Sequence, residues 1–134
     1  MVLVDTSVWI RFLADRAPHA GQLAWLLEHE EAAGHEMVFG ELLIGDIGGR
    51  TKLLASYEML DQAKPVPHSE VVEFVRARKL HGRGAGWIDI HLLASAVAGG
   101  HKLFAADARL EKMAAELGVA YTEPMRVQSP KASA

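Results

Sequence analysis

Val2-Leu3-Val4-Asp5-Thr6-Ser7-Val8-Trp9-Ile10-Arg11-Phe12-Leu13-Ala14 sets the architecture of this chain. An unbroken apolar triplet ending in an acid is how a parallel strand buried on both faces reads. Thr6 is a good N-cap. Val8, Trp9, Phe12 and Leu13 then recur at helical spacing, which predicts a helix over Ser7 to Ala14, halted by Pro18. A strand passing directly into a helix is the opening half of a β-α-β unit.

The same alternation continues outward from this stretch. Gly21 to Ala33 predicts a second helix, with Leu23, Leu26 and Leu27 inward and Gly34 as its stop. Met37-Val38-Phe39 reads as a short strand entering, at Gly40, a helix from Glu41 to Ile47 that Gly48-Gly49 ends. Thr51 to Gln62 and Ser69 to Leu80 predict two more helices, the second capped by Ser69, joined through an extended Pro65-Val66-Pro67 suited to a sheet edge. Gly82 to Gly86 is a loop. Trp87 to Ala98 is a helix apolar almost all round, ended by Gly99-Gly100. Lys102 to Ala105 is a second clear strand, Asp107 to Leu117 a helix ended by Gly118, and Val119-Ala120-Tyr121 a last strand. Alternating strands and helices predict an α/β fold with a mainly parallel sheet covered on both faces. Ligands of such sheets bind beyond the carboxyl ends of the strands.

With 134 residues, no internal repeat and no dividing linker, one domain over 1–127 is expected, followed by a polar, disordered tail over 128–134. The absence of cysteine excludes a disulfide scaffold, a thiolate zinc site and a cysteine nucleophile. No apolar run is long enough to span a membrane. The N-terminus lacks a basic n-region and a cleavage site, so a cytoplasmic chain without a signal peptide is expected. The net charge of -3 opposes bulk binding of nucleic acid, unless several acids belong to one metal site.

Four acids invite that reading. Asp5 and Asp107 each follow a buried strand, where they either cap the next helix or face a common crevice. Asp89 lies in the first turn of the apolar Trp87–Ala98 helix, and an isolated buried carboxylate is costly unless paired or bound to metal. Glu41 sits on a short, mostly apolar helix, where a solvent-facing glutamate is the bland alternative. Carboxylates from several segments, with no serine or cysteine nucleophile system, suit a hard divalent cation that positions a water on a phosphodiester.

In these residues the chain resembles the PIN-domain family, specifically the VapC-like toxins of bacterial toxin-antitoxin pairs. Val2-Leu3-Val4-Asp5-Thr6-Ser7-Val8-Trp9-Ile10 is similar to the family's first block. Glu41-Leu42-Leu43-Ile44-Gly45, Gly86 to Ala94 and Leu103 to Leu110 are similar to the second, third and fourth. The resemblance implies a three-layer α/β/α sandwich and a Mg²⁺- or Mn²⁺-dependent endoribonuclease. It carries the catalytic, metal-binding acids over as Asp5, Glu41, Asp89 and Asp107, with Ser7 supporting them. It also implies an RNA substrate, a VapB-like antitoxin partner and a homodimer. One departure stands out: members often carry Thr or Ser two residues before the last acid, where this chain has Ala105. A supporting hydroxyl is missing there, so a catalytically weak partner-binding module is the alternative.

Arg76, Arg78, Lys79 and Arg83, with His81 among them, form a run without acids. They serve either a helix C-terminus or a phosphate track for RNA. Gly82-x-Gly84-x-Gly86 lacks the spacing and lysine of a nucleotide loop and reads as a lip beside the cleft. His91 is expected on a helix surface, and the stripe around Trp25 and Leu26 in the core or at a dimer surface. A dehalogenase-type phosphatase needs an acid where Ser7 stands, and a receiver domain needs an acidic pair in its first loop. Both are thereby disfavoured.

Overall fold

A computed structural model describes residues 1–123. The expected 128–134 tail and the boundary at 127 lie outside the described residues. Four parallel strands form one sheet: β1 (Val2–Val4), β2 (Ala32–Gly34), β3 (Asp61–Gln62) and β4 (Lys102–Phe104), in the order β3-β2-β1-β4. Among the described residues, seven helices flank it: α1 (Thr6–Leu13), α2 (His19–Glu28), α3 (Glu36–Ile44), α4 (Thr51–Glu58), α5 (His68–Arg78), α6 (Trp87–Gly99) and α7 (Ala108–Glu116). Side chains alternate between sheet faces along a strand, yet Val2, Leu3 and Val4 are all buried. Both faces of β1 are therefore covered, as the three-layer sandwich requires.

The strand order places the site. From β1 the chain builds outward through β2 to β3, then returns to lay β4 on the other side of β1. The order thus reverses at β1–β4, registered by Val2↔Lys102, Leu3↔Leu103 and Val4↔Phe104. Such a reversal opens a crevice beyond the carboxyl ends of the two strands. There the Asp5 amide donates to the Phe104 carbonyl at 2.9 Å, and α1 follows Asp5 while α7 follows Asp107.

The second strand differs from the sequence expectation. Met37-Val38-Phe39 belongs to α3, and the strand is Ala32-Ala33-Gly34, where a helix end was expected. Alanine and glycine have weak strand propensity, so β2 owes its conformation to its parallel partners β1 and β3. The cap of α3 is also unusual: the His35 ring accepts from the Met37 amide at 3.1 Å. Asp61–Gln62, expected to end a helix, forms the edge strand, and Pro65 to Pro67 forms none. The last expected strand contributes one parallel bridge, Leu103↔Ala120.

Other differences are local. Asp5, not Thr6, caps α1, and α5 begins at His68 with Pro67 at the cap position instead of Ser69. Leu13 is exposed, whereas Val8 and Trp9 are buried as expected. His91 is buried, at 5 % exposure, because α6 is enclosed from Ile90 to Ala96. Leu26 is core, and Trp25 stacks on His29 at 3.9 Å between ring centroids.

Candidate active site

Asp5 and Asp107 stand at the carboxyl edge of the sheet, one after each strand of the reversal. Each also caps the helix that follows. Asp5 Oδ2 accepts from the Ser7 amide at 3.2 Å, and Asp107 Oδ1 from the Arg109 amide at 2.9 Å. Capping and convergence are therefore one arrangement: the strand ends bring the acids together, and each helix N-terminus favours their negative charge.

Ser7 joins the two strand ends. Its hydroxyl donates to Asp5 Oδ2 at 2.6 Å and accepts from the Ala106 amide at 3.1 Å. Asp5 is only 5 % exposed. Burial raises its carboxyl above the usual range, against the opposing Ser7 and Thr6 hydrogen bonds, and the Glu41 charge adds to the rise. Ala105 is buried and brings no hydroxyl. The segment leading to Asp107 is held instead by Ser7 through the Ala106 amide, and Asp107 itself by the first turn of α7.

Asp89 enters from α6, whose first turn it occupies. Half-buried, it is pushed up to about 6, first by burial and then by the charge of Asp5, with Glu41 and Asp107 adding smaller shares. A hydrogen bond from the Gly86 backbone opposes the rise. All three other acids thus act electrostatically on Asp89. Glu41 comes from α3 and is bound by a residue that the sequence pattern marks only as a helix cap. The Thr6 hydroxyl donates to Glu41 Oε1 at 2.6 Å. A hydroxyl just after the first acid is visible in sequence, but its partner lies 35 residues away, a distance only the packing of α1 on α3 closes.

The donor set is all oxygen, which suits a hard divalent cation. The ion pairs Arg76–Glu73 and Arg83–Glu116 involve none of the four acids. Nor, among the described residues, do any three His, Asp or Glu side chains lie close enough together to hold a metal ion by themselves. The coupling of the other acids to Asp89 is compatible with this, because charges act over separations greater than ligation distance. Mg²⁺ in particular keeps several waters and takes one or two carboxylates together with substrate phosphate, without an all-protein cage. The all-oxygen donor set, without a preformed cage, is what such a hydrated ion takes.

The basic run lies on and beyond the C-terminal end of α5. Arg76 pairs with Glu73 at 3.4 Å, and the Arg78 guanidinium lies 6.0 Å from the Phe74 ring. Lys79 is the left-handed C-cap of α5. Arg83 pairs bidentately with Glu116, at 2.6 and 3.0 Å, which raises the arginine and lowers the glutamate from their ordinary pKa values. In the glycine loop, Arg109 Nη1 donates to the Gly84 carbonyl at 2.9 Å. A Cβ on Gly84, whose φ is +80°, would meet that Nη1 at 2.9 Å, so the lip is fitted to Arg109.

Residues 2–116 match the PIN domain family. The chain is 45 % identical over 124 residues to "Ribonuclease VapC32" of Mycobacterium tuberculosis, in strains CDC 1551 / Oshkosh and ATCC 25618 / H37Rv. These alignments span 92 % of this chain and 98 % of each relative. The fold is similar to the crystal structure of PAE2754 from Pyrobaculum aerophilum, with a TM-score of 0.53 at 17 % identity, over 87 % of this chain and 96 % of that one. The chain belongs to the PIN domain family and is VapC-like over nearly its whole length.

Proposed function

We propose that this chain is the toxin of a toxin-antitoxin pair, an endoribonuclease dependent on Mg²⁺ or Mn²⁺. The observation that carries the reading is the placement of Asp5 and Asp107 after the two strands where the order reverses, with Ser7 joining the two strand ends and Thr6 bound to Glu41. A divalent cation, when bound, supplies Lewis acidity and an activated water. The chain's own part is to hold that cation with Asp5, Glu41, Asp89 and Asp107 and to orient Asp5 through Ser7. Relatives named ribonuclease at 45 % identity support an RNA substrate. The alternative of an inactive binding module rested on Ala105. Against it stands Ser7, whose hydroxyl binds the backbone amide next to Ala105.

The VapC-like relatives also support a VapB-like antitoxin. An acidic cleft suits an inserted arginine, whose guanidinium pairs with carboxylates where a cation would otherwise sit. A homodimer and a cytoplasmic location complete the proposal. No helix among the described residues is long and apolar enough to cross a membrane. The test is cleavage of single-stranded RNA by the pure chain, with Mg²⁺ and with chelator. Chelator, Asp5→Asn and Asp89→Asn should each remove orders of magnitude of rate. Cleavage that survives all three would sink the metal mechanism.

A further inference from the structure

Two neighbouring hydroxyls at the start of α1 serve different acids. Ser7 holds Asp5, on its own segment. Thr6 reaches across to Glu41 on α3. We propose that Thr6 is a positioning residue for the metal site, fixing the Glu41 carboxylate before the cation arrives. The proposal deepens the metal-dependent reading above and rests on it.

Three observations carry the assignment. The 2.6 Å contact is in the range of a charge-assisted O–H···O⁻ bond, the stronger class of hydrogen bond. It engages Oε1 alone, and Oε2 has no hydrogen bond among the described residues, so one oxygen remains for a ligand. Thr6 also has no capping duty that would account for its hydroxyl, because Asp5 caps α1. The residue types suit this role. Glutamate has three side-chain torsions and loses much rotamer freedom when it becomes a ligand. Threonine has a single side-chain torsion to fix before its hydroxyl, so holding that hydroxyl in place costs less freedom than holding the glutamate alone. Holding Glu41 in the free protein moves that entropy loss from metal binding to folding. The same first turn of α1 thereby orders Asp5, Glu41 and the backbone before Asp107, which arrive from three different parts of the chain.

The test uses the full chain and Mn²⁺ alone, followed by calorimetry and by the paramagnetic resonance signal of free Mn²⁺. Removing an outer partner of a metal ligand weakens affinity about 10- to 100-fold. Thr6→Val keeps shape and branching while deleting the donor, so it should weaken Mn²⁺ binding by that factor. Thr6→Ser should restore affinity to within a few-fold. In a Glu41→Gln background, Thr6→Val should change Mn²⁺ affinity little further, because the ligand charge it positions has gone. RNA cleavage by Thr6→Val should recover at high Mn²⁺. A Thr6→Val chain with unaltered Mn²⁺ affinity and a lowered melting temperature would make the bond purely structural and overturn the proposal. An equal further loss in the Glu41→Gln background would overturn it too. A parent that binds Mn²⁺ but cleaves no RNA would overturn the nuclease reading while the Thr6 comparison stands. A parent that binds no Mn²⁺ would overturn both.

Discussion

Replacing Asp89 by Asn should stabilise the metal-free protein, with a pH dependence that identifies the cause. The Asp89 carboxyl is raised from 3.8 to about 6, chiefly by burial and by Asp5. Each unit corresponds to about 1.4 kcal/mol between the two protonation states. The full shift therefore caps the destabilisation by ionised Asp89 at about 3 kcal/mol. The side chain is half-buried, and solvent screening reduces this to about 1–2 kcal/mol. Asn stands in for the protonated acid, so it removes the repulsion and desolvation of charge while keeping a polar group in the first turn. At pH 8 in chelator the melting temperature should rise by about 3–8 °C for a domain of this size.

The sign follows from linkage. A carboxyl raised on folding contributes stability that is fully present below its unfolded pKa, near 3.8, and lost as pH rises through about 6. The advantage of Asp89→Asn should accordingly be full at pH 8 and fall to about a third by pH 4.5. Adding Mg²⁺ should raise the melting point of the parent and leave the variant nearly unmoved. Differential scanning calorimetry of both proteins at the two pH values reads all of this. An advantage of equal size at both pH values, or a loss at pH 8, would refute the charge argument and make Asp89 a cap.

Asp107→Asn should leave stability in chelator within about 0.5 kcal/mol of the parent, because Asn caps as well as Asp, whereas Asp107→Ala should lose about 1 kcal/mol by thermal melts. His35 is wholly buried, caps α3 through its unprotonated Nδ1 and turns Nε2 to Ser95 Oγ at 2.9 Å. Burial lowers its pKa, so the unfolded chain takes up a proton first, and stability should decline as pH falls below about 6.5, by up to about 1.4 kcal/mol per unit. Urea titrations should show a flatter decline in His35→Asn, and equal slopes would refute the capping role. Gln at Arg76, Arg78 and Lys79 together should flatten the salt dependence of RNA binding, measured by anisotropy, by roughly 0.7 per lost phosphate contact. Arg83 is left out because Glu116 already holds it. A loss of thermal stability with RNA affinity intact would instead assign the run to the helix dipole.

The first and last β-α corners are legible from local pattern. Val2-Leu3-Val4 and Lys102-Leu103-Phe104 are clear strands because each carries a short apolar run, and an acid after each is visible without any partner. The buried α6 is equally plain, since a helix apolar on nearly every face has nowhere else to go. Neighbours decided the segments that local pattern misassigns. Ala32-Ala33-Gly34 is a strand only because β1 and β3 lie on either side of it, which leaves Met37-Val38-Phe39 to the helix that follows, with His35 as its cap. The candidate site divides in the same way. Asp5, Asp89 and Asp107 are readable as acids out of place, and Glu41 gains its meaning from the resemblance. Packing brought Thr6 to Glu41 and the Ser7 hydroxyl to the Ala106 amide. Local patterns specify which segments are buried, whereas hydrogen bonds spanning 35 and 99 residues depend on the strand order that folds those segments together.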